Sequence, residues 1–394
     1  MRGSVIIGGA RTPIGKLLGD LSALTAPRLG AAAISAAVER AGITPSAVGA
    51  VVMGTVVQAG VGPNPARQTA ILAGLPMSVP ATTVNKLCLS GLHAIALADL
   101  MVSAGHYDIV VCGGMESMTH APHLLPGSRA GYRYGPTPAV DSLDADALVC
   151  AFDGTSMGAA TERYQAELGI SREEQDAFAA RSHQRAAQAA AAGRFAEEMV
   201  PVSVPARHAE LTVATDEGVR PDTTAESLAR LRPAFAPDGT ITAGSSSQLS
   251  DGACALVVTS RAHAERLGAE PLAEIGAYGT VAGPDPSLLS QPANAVRAAL
   301  ARDGSLKPSG LDLLEINEAF ASVAIHSMRE LGVGPSQVNV NGGAIALGHP
   351  VGMSGARLVL SLALELRHQG GGTGVAALCG GGGQGDALVL RSTT

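Results

Sequence analysis

Residues 84–114 read VNKLCLSGLHAIALADLMVSAGHYDIVVCGG, and residues 340–381 read VNGGAIALGHPVGMSGARLVLSLALELRHQGGGTGVAALCGG. Each opens on Val-Asn, reaches a Ser-Gly pair (Ser90-Gly91, Ser354-Gly355) and runs as an apolar helical pattern to a glycine (Gly105, Gly370). Each then closes on a short strand pattern ending in Cys-Gly-Gly, at Cys112 and at Cys379, with nearly the same spacing from the serine. Glycine after a periodic segment is helix-terminating punctuation, and a short apolar run bounded by turn residues is a buried strand. The likeness predicts an internal duplication, two similar α/β halves whose helices face one another. The competing reading is chance similarity in a chain with 49 glycines.

Working outward, β-branched runs alternate with Ala/Leu-rich helical patterns, which predicts α/β layers around a largely buried sheet. Strands are expected at 4–8, 48–57, 108–112, 253–259, 272–281, 312–316, 337–340, 374–379 and 386–391. Helices are expected at 28–41, 65–73, 88–104, 157–168, 172–191, 292–303, 318–332 and 353–369. Residues 119–248 change character, from PHLLPGSRAGYRYGPTPAV through an Ala-rich helical pair to a polar Pro/Gly stretch. They read as a lobe inserted before the last strand of the first half, and long insertions commonly carry function or interfaces. The domains expected are therefore 1–118 with 249–269, the inserted lobe 119–248, and 270–394.

Composition narrows the class. Of 394 residues, 46% are hydrophobic and only 15% charged, and the formal net charge is −7. Negative charge, few aromatics and no Trp argue against a nucleic-acid or anionic-membrane partner. The opening MRGSVIIGGARTPIG is too short an apolar run for a signal peptide, and no stretch reaches transmembrane length. Five dispersed cysteines (88, 112, 150, 254, 379) fit reduced thiols in a cytoplasmic protein, and no CxxC or Cys/His cluster points to a metal.

Gly380-Gly381-Gly382-Gly383-Gln384-Gly385 has dinucleotide-fingerprint spacing, but only DALVLRSTT follows where a helix would have to hold a pyrophosphate. GGARTPIGKL fails as a phosphate loop, because Leu17 stands where a magnesium-binding hydroxyl is needed. Cys88 lies where a polar turn becomes a helical pattern; a thiol at a helix N-terminus is acidified by the peptide dipoles, whereas an inert buried cysteine is the bland alternative. His349 sits in a glycine-rich loop ahead of Pro350, posed unlike a core histidine. Asn317 lies at a strand-to-helix turn, where a helix cap is the competing role. Ligands gather at such strand ends. Cys112, Cys150 and Cys254 read as structural.

These segments resemble the thiolase family: VNKLCLSGL, NEAFA, NGGAIALGHPVGMSGAR and ALCGGGGQG match its active-site motifs. Further matches are GARTPIGK, GGMESMTHAPHLL, SMGAATERYQ, TTAESLARLRPAF and DGTITAGSSSQLSDGA, in order over the whole chain. The resemblance implies duplicated α/β/α halves (five layers, αβαβα) with an inserted loop domain, and is nearest the biosynthetic type that condenses two acetyl-CoA to acetoacetyl-CoA and CoA. It makes Cys88 the nucleophile, His349 its proton acceptor and Cys379 the acid/base at the second substrate. Asn317 is implied through a water beside His349 in one oxyanion hole, and the N–H groups of Cys88 and Gly381 in the other. Arg220 and Ser227 are implied near the adenosine end of coenzyme A, Ser247 and Ala243 along the pantetheine, and Phe235, Leu249, Met157 and Phe320 as pocket walls. Coenzyme A is substrate and product, with no further cofactor. A cytoplasmic homotetramer (dimer of dimers) is implied, with 119–138 as the candidate contact.

Four positions depart from the common pattern: Ser156, Leu289, Gln384 and His93. They bear on chain length, so a degradative 3-ketoacyl-CoA thiolase stays open. Ketoacyl-synthase chemistry, with two histidines or His/Asn and one cysteine, is disfavoured by Cys379. A catalytically silent coenzyme A- or lipid-binding relative is disfavoured by Cys88, His349 and Cys379 together.

Overall fold

Alternate side chains of a strand point to opposite faces, so a strand covered on both faces is apolar throughout. Strand β1 (Ser4–Arg11) is buried at every position, as is the strand Ile109–Ser117 and all but the last residue of Ser250–Ser260. The computed structural model describes residues 3–206 and 210–393. In chain order the elements that matter are helix α1 (Ala26–Arg40), β2 (Ala50–Gly54), α2 (Pro65–Leu72), β3 (Ala81–Val84), α3 (Ser90–Ser103) and β4 (Ile109–Ser117). Then come α4 (Met157–Gln165), α5 (Arg172–Ala191), β5 (Ser250–Ser260), β6 (Ala273–Ala282) and α6 (Gln291–Asp303). The chain finishes with β7 (Leu313–Ile316), α7 (Ala321–Leu331), α8 (Ser354–His368), β8 (Thr373–Gly380) and β9 (Gln384–Arg391).

One sheet runs β7-β8-β9-β6-β1-β5-β4-β2-β3, with the two-residue strand Gly15–Lys16 added to β5. It divides at β1/β6, which share only the Val5–Glu274 and Ile6–Ala273 pairs. On either side the pattern repeats: β4/β2 and β8/β7 are parallel, β5/β4 and β9/β8 antiparallel, and β1/β5 and β6/β9 antiparallel. The predicted duplication is therefore present. Helices α3 and α8 pack against each other between the two half-sheets, α1 and α2 cover the far side of the first, and α6 and α7 that of the second. This is the αβαβα layering. A Cβ on Gly91 would lie 2.8 Å from the Ala356 nitrogen and one on Gly355 2.5 Å from that of Leu92, so the central helices meet backbone to backbone.

The strand expected at 337–340 is reduced to a single bridge between Val338 and Leu314. Asn339 takes φ 48 and spends its side chain on Ile316, accepting from its N–H and donating to its C=O, which ends the extended run. Conversely β3 was hidden within the polar run ATTVN, because an edge strand half open to solvent lacks a continuous apolar signal.

Between β4 and β5 the chain forms α4, α5, a short helix Ala225–Leu228 and two small hairpins. Arg11, fully buried at the end of β1, ties this region down: Nε reaches Glu198 at 2.6 Å and the other two nitrogens span Asp216 at 2.7 and 2.9 Å. A buried guanidinium is tolerated only when paired in this way. Among the described residues no helix is long and apolar enough to cross a membrane.

Candidate active site

The segment carrying Cys88 is a turn, not the first turn of a helix. After β3, the Leu87 N–H donates to Asn85 Oδ1 (3.0 Å) and Ser90 Oγ accepts from Lys86 N–H (2.8 Å) while donating to Leu87 C=O (2.6 Å). These bonds hold Leu87 at φ 52, a conformation that a branched side chain adopts only under constraint. Such strain concentrates beside reacting groups. Helix α3 begins two residues past Cys88, at Ser90. The acidified thiol expected from a helix terminus is not what the structure gives. Burial among apolar side chains pushes Cys88 up to about 11, although its own N–H and that of Gly381 draw it down. Removing the thiolate from water outweighs the two dipoles.

His349 is buried in the loop before α8, its N–H donated to Gln248 C=O at 3.0 Å. Its Nδ1 lies 2.6 Å from Ser354 Oγ, which donates its one proton to Pro350 C=O at 3.0 Å. The hydroxyl must then accept from Nδ1–H, so the neutral ring carries its lone pair on Nε2. Burial first, and then the charge of Arg357, push His349 down to about 4. At neutral pH it is uncharged, with the Nε2 lone pair turned toward Asn317 and the site.

Asn317 Nδ2 stands 3.3 Å from that nitrogen. It caps no helix, since Phe320 occupies the cap of α7. Its Oδ1 is buried without a partner among the described residues; such an acceptor calls for a water or a ligand donor. Cys379 is the penultimate residue of β8, 1% exposed, and burial and the nearby Cys88 both drive its thiol upward. Gly381, in the turn to β9, has its N–H near enough to the Cys88 sulfur to draw that thiol's pKa down. A Cβ there would sit 2.8 Å from Met157 Cε and 2.9 Å from a Leu87 methyl, so a side chain would push these two wall residues aside.

Two cavities share this corner. The inner, of about 60 Å³, is lined by Cys88, His349, Cys379 and Gly381 with Leu148, Met157, Leu288 and Phe320. The outer, of about 480 Å³, adjoins it at His349, Phe320, Met157, Ser247, Leu148 and Val351 and extends past Phe235, Leu249 and Ala243 to Arg220. All the pocket residues expected from sequence line it except Ser227. That side chain is exposed and closes a reciprocal cap with Thr224 at the start of helix Ala225–Leu228. Phe235 and Phe320 meet edge to face at 5.8 Å. Sequence reading missed Ser354, visible only as half of a Ser-Gly pair, and Leu148, Val351 and Leu288, ordinary apolar residues without a motif of their own. The last neighbours Leu289, and both belong to the apolar cluster around Cys379.

Against known proteins, the family description "Thiolase, N-terminal domain" matches residues 4–262 and "Thiolase, C-terminal domain" residues 269–392. This chain belongs to the thiolase family. It is 57% identical over 388 residues to the "Probable acetyl-CoA acetyltransferase" of Mycolicibacterium smegmatis, covering 98% of this chain and all of the relative. The Mycobacterium leprae protein of the same name is 57% identical over 393 residues, both chains covered fully. The "Acetyl-CoA acetyltransferase" of Cupriavidus necator is 48% identical over 389 residues, 98% of each.

Proposed function

We propose that this chain is an acetyl-CoA C-acetyltransferase, reversibly condensing two acetyl-CoA to acetoacetyl-CoA and free coenzyme A. The observation that carries the reading is the meeting of Cys88, His349 and Cys379 in an inner cavity of about 60 Å³, on the order of two water molecules in liquid volume. That space suits a two-carbon group. The outer cavity takes the pantetheine arm along Ser247 and Ala243, with Arg220 toward the phosphates.

Cys88 attacks the thioester carbonyl and gives its proton to His349 Nε2, which passes it to the departing coenzyme A sulfur. A covalent acyl-cysteine divides one hard step into two easier ones. The N–H groups of Cys88 and Gly381 stabilise the tetrahedral oxyanion, a contribution worth roughly 10²–10³ in rate per donor. In the second half-reaction His349, neutral again, takes the Cys379 thiol proton, and the Cys379 thiolate removes a proton from the methyl of the next acetyl-CoA. Its high pKa makes the thiolate, once formed, a strong base toward carbon. The enolate oxygen is met by His349, protonated by the Cys379 proton, and by a water held at Asn317; the enolate carbon then attacks the Cys88 thioester, and His349 returns its proton to the departing Cys88 sulfur. We place the protein in the cytoplasm as a homotetramer, its contact on the stretch 119–138, where Leu125, Tyr132 and Tyr134 face solvent in the single chain; light scattering returning a monomer overturns that assembly.

The test is thiolysis of acetoacetyl-CoA, 3-ketohexanoyl-CoA and 3-ketooctanoyl-CoA at saturating coenzyme A. Turnover should fall sharply beyond four carbons. Equal or rising rates make the enzyme a degradative thiolase, and no turnover of any substrate removes the catalytic reading.

A further inference from the structure

Glu116, near the end of β4, is fully buried and has no cation paired with it among the described residues. Its carboxylate accepts four hydrogen bonds, from Val56 N–H (2.9 Å), Val57 N–H (3.2 Å), Thr55 Oγ1 (3.1 Å) and Gly352 N–H (3.0 Å). The first three belong to the segment after β2. That segment carries the Cys88 turn: Val56 C=O accepts from Asn85 Nδ2 (3.2 Å), and Asn85 Oδ1 in turn accepts from Leu87 N–H. The fourth donor lies midway between His349 and Ser354, in the loop that orients the imidazole. Backbone packs tightly around this point, since a Cβ on Gly352 would fall 2.8 Å from the carboxylate and one on Gly114 would strike Gly352 C=O.

We propose that Glu116 is a positioning residue for the acylation step, a joint that holds the nucleophile turn of one half in register with the base loop of the other. The proposal rests on the assignment of Cys88 and His349 made above. A carboxyl group suits the task because its two oxygens offer several lone-pair sites on which donors from both segments converge; burial pushes Glu116 up to about 7, and the four donors draw it down toward the ionised form. Reacting groups displaced by about 1 Å can lose roughly 100-fold in rate. Its charge alone works the other way: negative charge at Glu116 raises the Cys88 pKa. If electrostatics were its only effect, neutralising Glu116 would speed acetylation. A positioning role predicts that it slows.

The experiment compares full-length wild type with Glu116→Gln, measuring the rate of Cys88 acetylation by acetyl-CoA in rapid-quench mass spectrometry and the KM for coenzyme A in thiolysis. Glutamine keeps the shape but turns an NH₂ toward backbone donors. Acetylation should slow by about 10–100-fold while KM stays near the wild-type value, because the outer cavity is lined by other residues. Glu116→Asp, which keeps the charge on a shorter arm, should recover part of the rate. Unchanged or faster acetylation, or losses in rate and coenzyme A affinity of equal size, overturns the proposal. Should Glu116→Gln not fold, Thr55→Val removes one donor and leaves the carboxylate; several-fold slower acetylation at normal KM supports the joint, and a wild-type rate ends it. Wild-type acetylation at Cys88 is read in the same experiment, so failure of the underlying assignment shows separately.

Discussion

Cys112 and Cys379 end the same sequence phrase, strand then Cys-Gly-Gly, yet they stand in opposite surroundings. In β4, Val110 and Cys112 face the central layer of α3 and α8, while Ile109 and Val111 face α1. In β8, Ala376 and Leu378 face that central layer, and Val375 and Ala377 face α6 and α7. Cys379 is in phase with the latter pair. The phrases are thus slipped by an odd number of residues against the structural repeat, and an odd slip turns a side chain to the other face. The strands also end differently. β4 continues to Ser117 before the inserted region departs, burying Cys112 in mid-strand against Leu256. β8 stops at Gly380 and doubles back through Gly381–Gly383, leaving Cys379 at a cavity wall. A repeated motif becomes a site only where the strand's phase and end expose it.

The strongest way to break that contrast is to truncate both thiols. Cys379→Ala should lower condensation by roughly 10²–10⁴-fold, the worth of a general acid or base, while acetylation of Cys88 persists. Cys112→Ala should keep full turnover and lose stability on the order of 1 kcal/mol through a small core void, seen as a lower midpoint in thermal unfolding. Equal kinetic losses in both would dissolve the distinction.

A finer comparison sets Ser90 beside Ser354. Both brace the turn before a central helix, but only Ser354 orients a titrating ring. Ser354→Ala should slow acetylation by roughly 10–100-fold, because the imidazole tautomer is no longer fixed, with KM little changed. Ser90→Ala removes a brace from Leu87 without touching His349 and should cost less; the reverse ranking would contradict the tautomer argument.

The smallest expected effect is spectroscopic. A folded pKa lowered from an ordinary value near 6.5 keeps the ring neutral over most of the acid range, and the proton is taken up only as pH falls toward about 4. The ring resonance assigned to His349 by comparison with His349→Ala should stay unchanged from pH 8 to 5.5. A shift centred near 6.5 would show an ordinary, solvated imidazole.

Much of this was legible because periodicity and punctuation are local. Residues 292–303 and 353–369 declared α6 and α8 by apolar spacing and by the glycines that follow. The turn positions of Cys88, His349 and Asn317 could be read in the same way. What escaped depends on contacts distant in sequence. The Cys88 pKa is set by apolar walls that include Val351, far along the chain. Glu116 sits in a strand sequence, GGMES, that gives no hint of four converging donors. Ser227 looked like a ligand contact by resemblance, but Thr224 three residues earlier makes it a helix cap. Leu148 reaches the site from the end of a single π-helical turn, Asp144–Leu148, too short to show a period in sequence.

The most direct test of the whole account is to mix the enzyme with acetyl-CoA alone, quench it, and map the modified peptide by mass spectrometry. The account predicts one acetyl group on the peptide carrying Cys88, present in wild type and Cys379→Ala and missing in Cys88→Ala. An acetyl group elsewhere, or one that survives Cys88→Ala at the normal rate, would contradict it.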